Sequence, residues 1–71
     1  MTLREIRKAR RIPRTYVEYM TGIKPNTLSK KESGLRSWTI DEFSALCDLY
    51  RVDEPTQLED YQRMKKVITT N

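Results

Sequence analysis

Gly22 and Pro25 stand three positions apart between two short stretches of helical periodicity, and they leave the chain little choice of local geometry. Glycine readily takes the left-handed conformation that ends a helix. Proline suits the first turn of the next, where its missing N–H would have no partner in any case. The segment from about Arg14 to Thr21, with Val17 and Met20 turned inward, therefore closes at Gly22. Ile23 and Lys24 make the turn, and a third helix runs from Pro25 to about Ser33, where Gly34 stops it. Two helices so short, joined by so brief a link, form a tight crossed pair.

The flanking sequence supplies three further helices. Thr2 and Glu5 have the spacing of a capping box, in which hydroxyl and carboxylate satisfy two free amides, so a first helix starts at Leu3. Pro13 disfavours a helical Ile12 and ends it near Arg11, with Leu3, Ile6 and Ala9 or Arg10 on one face. Thr39 and Glu42 form a second box, after which Ile40, Phe43, Leu46, Cys47 and Tyr50 recur at helical spacing. Asp53, Glu54 and Pro55 break the chain, and a fifth helix over about 56–68 carries the stripe Leu58, Tyr61, Met64 or Lys65, and Ile68. Without repeats or a linker, residues 1–71 read as a single all-α domain of five helices with a helix-turn-helix at about 14–33.

Size and composition narrow the function. A 71-residue chain buries only about 60% of the surface its unfolded form exposes, which leaves no room for a second, catalytic domain. The single cysteine, Cys47, can make no internal disulfide, and with no histidine the usual zinc sites cannot be assembled. No nucleophile, base and oxyanion set can be named, so neither enzyme activity, nor a metal, nor a cofactor is expected. No export signal and no apolar run of about 18 residues is present, which makes the cytoplasm the expected location and membrane insertion unexpected.

Charge is segregated along the chain. Residues 1–38 hold ten Lys or Arg against Glu5, Glu18 and Glu32, a net of +7; residues 39–71 hold four against seven acids, a net of −3. Scattered solvating charges do not divide in this way, and the basic half suits a polyanion. Within it Arg4, Arg7, Lys8, Arg10 and Arg11 on the first helix read mainly as a solvated face. The pairs Asp41 with Glu42, Asp53 with Glu54, and Glu59 with Asp60 read as helix-start or surface carboxylates. Cys47 falls on the buried stripe of the fourth helix, and Trp38 reads as a loop anchor.

Over about residues 2 to 58 the chain resembles the Cro and C1-type repressor domains. Leu3 to Arg10 looks like the family's first helix; Val17, Met20, Gly22 and Ile23 match its second helix and turn. Thr27 to Lys30 with Glu32 and Gly34 resembles the third helix and its exit, and Thr39 to Val52 the fourth. The resemblance implies a five-helix, lambda-repressor-like fold whose third helix lies in the major groove of double-stranded DNA. Carried over position by position, it puts Pro25, Asn26, Thr27 and Lys30 at base edges. Arg14, Lys24, Ser29, Lys31, Arg36 and Ser37 fall along the DNA backbone. Asn26 suits adenine and Lys30 guanine, each worth about 1–3 kcal/mol of discrimination.

The chain departs from the family in places. Arg14 replaces a usual glutamine, which adds charge to the phosphate contact. Lys24 stands where a Ser or Thr cap is favoured, and Lys31 where an apolar residue is usual, its stem able to cover the core edge. Arg11 and Arg51 occupy helix exits that often hold Gly or Asn, which implies strain. The family reading implies a sequence-specific regulator, of the kind found in phages and mobile elements, that acts as a homodimer on two half-sites about 34 Å apart. Leu58, Tyr61, Met64 and Ile68 are either the dimer surface or a lid on the domain's own core. Regulation would come through concentration, cooperativity or a protein antagonist. The competing reading is an interaction module, such as an antitoxin, whose C-terminal helix captures a partner. Single-stranded nucleic acid binding has only Tyr16, Tyr19 and Trp38 as aromatics in the basic half.

Overall fold

The computed structural model describes the backbone of residues 1–69 and the side chains as far as Met64. Its helices are α1 (Leu3–Ala9), α2 (Arg14–Thr21), α3 (Pro25–Glu32), α4 (Ile40–Tyr50) and α5 (Glu59–Thr69), with a 3-10 turn at Pro55–Gln57. Among the described residues there is no strand.

Both capping boxes form. The Thr2 hydroxyl accepts from the Glu5 amide at 3.1 Å while the Glu5 carboxylate accepts from the Thr2 amide at 2.8 Å. Thr39 and Glu42 repeat the arrangement at 3.1 and 2.9 Å. At the other ends, α1, α3 and α4 close in the same way, each with a left-handed residue just past the helix. At the α3 exit Gly34 has φ 88°, and its amide and that of Leu35 donate to the carbonyls of Lys31 and Lys30. Arg11 and Arg51, both at φ 56°, do the same work after α1 and α4, so the strain implied by arginine at these exits is present. The left-handed Arg11 also ends α1 two residues earlier than the Pro13 argument placed it.

The fifth helix begins later than expected. Leu58 leaves the 3-10 turn in an extended conformation (φ −74°, ψ 144°), and the next amide, of Glu59, donates to the Met1 carbonyl at 3.0 Å. That bond ties the start of α5, at Glu59, to the N-terminal residue.

Leu3, Ile6, Val17, Ile23, Leu28, Trp38, Phe43, Leu46, Cys47, Tyr50 and Leu58 form one core, with Ile12, Leu49, Val52, Tyr61 and Met64 packed against it. The periodicity of α1, α2 and α4 overreached at three places. Met20 is 50% exposed and Ile40 65% exposed, because each lies where its helix runs past the layer it covers. Ala9 is exposed, and the inward position on α1 belongs to Arg7. Leu58 is only 4% exposed, and the Tyr61 ring meets that of Phe43 with centroids 5.9 Å apart and planes tilted by 44°. Leu58, Tyr61 and Met64 therefore pack as the lid over the core, one of the two readings the stripe allowed. Ile68 lies outside the residues whose side chains are described.

Candidate nucleic-acid interface

Successive residues of an α-helix turn by about 100°, and this decides what α3 shows to its surroundings. Leu28 is fully buried beneath the helix, with Lys31 beside it. Asn26, Ser29, Lys30 and Ser33 lie on the opposite side, all exposed, while Pro25 and Thr27 are half-buried at its edges. Of the residues expected at base edges, Asn26 and Lys30 thus share the outward face, one turn apart, with Pro25 and Thr27 flanking its N-terminal end. Lys24 takes the capping position in extended conformation and gives no side-chain acceptor, so the first amides of α3 stay available. The approach to this end is held by Gly22 at φ 81°, whose amide donates to Glu18. The Thr21 hydroxyl adds bonds to the Val17 carbonyl and from the Ile23 amide.

The residues expected along the DNA backbone divide. Lys24, Ser29, Arg36 and Ser37 are exposed around α3 and the loop that follows. Lys31 is not. Its ammonium is drawn inward, donating to the Ser37 carbonyl at 2.8 Å and pairing with the Glu42 carboxylate at 2.8 Å. An ammonium so engaged and so buried is unavailable to a phosphate, which corrects its assignment; it positions the loop that carries Arg36 and Ser37. Burial of Glu42 works to raise its carboxyl, but hydrogen bonds from Lys31 and from Thr39 prevail and hold it below the usual range. Arg14 is partly exposed, yet its Nε lies 3.5 Å from Glu32, so it serves the scaffold as well as facing solvent.

Three charged residues that hold the interface escaped the sequence reading. Arg7, expected on the solvated face of α1, is buried and grips Glu32 through Nε at 2.7 Å and Nη2 at 3.2 Å, while Nη1 donates to the Ile12 carbonyl at 2.8 Å. Asp60, expected on the surface, is 2% exposed. It accepts from the Leu3 amide at 2.7 Å and from the Trp38 indole at 3.0 Å, tying α5 to the start of α1 and to the loop after α3. That contact makes Trp38 the loop anchor it was expected to be. A signal for the first pair was present: Arg7 follows Leu3, and Glu32 follows Leu28, at the four-residue spacing that shares a helix face. Cys47 is packed in the core, and burial, aided by Asp48 and Asp60, pushes its thiol up to about 11.

The arrangement is a short helix with an outward polar and basic face, an uncapped leading end, and a trailing end fixed from beneath by two adjacent ion pairs. No curated protein and no solved structure gives a significant match to the chain. The model of one family does, the Cro/C1-type HTH DNA-binding domain, over residues 2–63. The five-helix order, the α2–turn–α3 unit and the match over most of its length agree: the chain belongs to the Cro/C1-type helix-turn-helix DNA-binding domains.

Proposed function

We propose that this protein is an operator-binding repressor, of the phage or mobile-element type, that lays α3 in the major groove of duplex DNA and binds as a two-fold pair. The observation that carries the reading is the outward face of α3. Asn26 and Lys30 stand one turn apart on it, and their donors and acceptors complement adenine and guanine edges. Arg14, Lys24, Ser29, Arg36 and Ser37 lie around that face as phosphate partners, which position the helix without reading sequence. A single copy has few such partners, and a pair reading half-sites about 34 Å apart doubles them. Leu58 is committed to the core, so it is not itself a pairing contact. The packing of Leu58, Tyr61 and Met64 on the core weighs against capture of a partner through those three residues.

Selection from a pool of random duplexes at fixed salt tests the proposal. The wild type should enrich a motif with two-fold symmetry; enrichment of none would refute sequence-specific regulation. Asn26→Ala should then lose preference at one position of each half-site, while Arg36→Ala should bind more weakly to every duplex alike.

A further inference from the structure

We infer that Arg63, on α5, is a further DNA-backbone contact, so that the interface crosses the exit of α3 and reaches the last helix. The inference rests on the duplex-binding reading above. A surface cavity of about 480 Å³ lies between the α3 exit, the loop after it and α5, with Ser33, Gly34, Arg36, Ser37 and Arg63 in its lining. Ser33 belongs to the outward face of α3, and Arg36 and Ser37 are already phosphate partners, so the cavity continues the proposed interface. The Arg63 guanidinium lies across the turn, with Nη1 3.7 Å from where a side chain on Gly34 would put its Cβ.

The lining of this cavity holds three cations, Lys31, Arg36 and Arg63, against one carboxylate, Asp60. The Lys31 ammonium is paired with Glu42, and both Asp60 oxygens accept from Leu3 and Trp38. Arg36 and Arg63 remain, both exposed, and neither has an ion pair among the described residues. With the Asp60 oxygens turned to Leu3 and Trp38, the two guanidiniums are left to meet an anion, and guanidinium geometry matches phosphate. In the otherwise acidic second half, the other cation with a described side chain, Arg51, lies far along α4 beside Asp48. Arg63 is thus the one positioned to join the basic half at α3.

The competing account is that Arg63 merely complements the carbonyl end of α3. Binding of the purified chain to its selected duplex and to a scrambled duplex, titrated across salt concentrations, separates the two. Each phosphate contact contributes about 0.9 to the slope of log affinity against log salt. Arg63→Gln should make the slope shallower by about that amount, with a loss of roughly eightfold near 0.1 M salt on both duplexes. Arg63→Lys should retain the slope, and the melting temperature without DNA should not move. A wild-type slope in Arg63→Gln, or a lowered melting temperature with the slope intact, would overturn the inference. If the wild type binds no duplex, the functional reading itself fails, and this inference falls with it.

Discussion

Arg7 and Glu32 meet as a two-point ion pair between the first helix and the end of the third, at 2.7 and 3.2 Å, with the Glu32 side chain only 1% exposed. The guanidinium spends its remaining nitrogen on the Ile12 carbonyl, and Arg14 approaches the same carboxylate from α2. The first three helices are thereby referred to one carboxylate.

Removing one member of a buried pair leaves the other charge uncompensated, at a cost of about 3–5 kcal/mol. For a domain this small that is a large part of its stability. Glu32→Gln and Arg7→Met should each shift the urea midpoint strongly downwards. The double variant should be less destabilised than the two single losses combined. Additive losses would mean that the pair is not coupled.

Asp60→Ala leaves the Leu3 amide and the Trp38 indole without their acceptor, at about 1–3 kcal/mol each where the group stays buried. Asp60→Asn, which keeps one carbonyl oxygen, should fall between wild type and alanine. Trp38 is the only tryptophan, so its fluorescence should report the loosening directly, as a red shift before global unfolding.

Arg51 holds a left-handed conformation that costs an L-residue about 1–2 kcal/mol. Arg51→Gly should stabilise the domain by about 0.5–1 kcal/mol, after allowing for glycine's greater freedom when unfolded. Thermal melting should rise by roughly 2–8 °C. DNA binding should be unchanged, because Arg51 lies at the far end of α4.

Glu42 carries a pH dependence of definite sign. Its carboxyl is held lower in the folded chain than its ordinary value of 4.5, so unfolding takes up a proton on acidification. Its stabilising contribution is complete above that ordinary value and is lost as pH falls through the lower folded one. Lys31→Met removes the chief cause of the lowering. The stability gap between that variant and wild type should be widest at about pH 7 and narrow towards about pH 3. A gap that stays constant would mean that the Lys31–Glu42 contact contributes through packing alone.

The Cys47 thiol, pushed up to about 11 by burial, offers almost no thiolate near neutral pH. A thiol reagent at about pH 8 should modify the native protein only as fast as it opens. Glu32→Gln should accelerate that reaction by lowering stability, although Glu32 is not adjacent to the sulfur in sequence.

The local features of the fold could be read from the sequence because their causes are local. Thr2 with Glu5, Thr39 with Glu42, Gly22, Pro25 and Gly34 each act within one turn of chain, and each appears where its chemistry places it. The outward positions of Asn26 and Lys30 follow in the same way once Leu28 faces the core. What escaped was charge carried into the interior. Arg7, Lys31 and Asp60 look like surface residues until a partner at a distance is supplied: Glu32 lies 25 positions from Arg7, and the Leu3 amide 57 from Asp60. Periodicity also could not say where a helix outruns the layer beneath it, which is why Met20 and Ile40 face outward. The start of α5 is bonded to the Met1 carbonyl, 58 positions away in sequence, which no local pattern announces.

The adjacent pair Lys31 and Glu32 has a consequence for how such a protein can change. Folding leans on these two positions and on Leu28, while Asn26, Ser29 and Lys30 on the other side of the same helix touch little of the core. On the proposed reading, substitutions at Asn26 and Lys30 would redirect operator choice without jeopardising the domain. A lineage, or an engineer, could therefore explore new operators by altering one side of a single eight-residue helix while its other side is conserved to keep the protein folded.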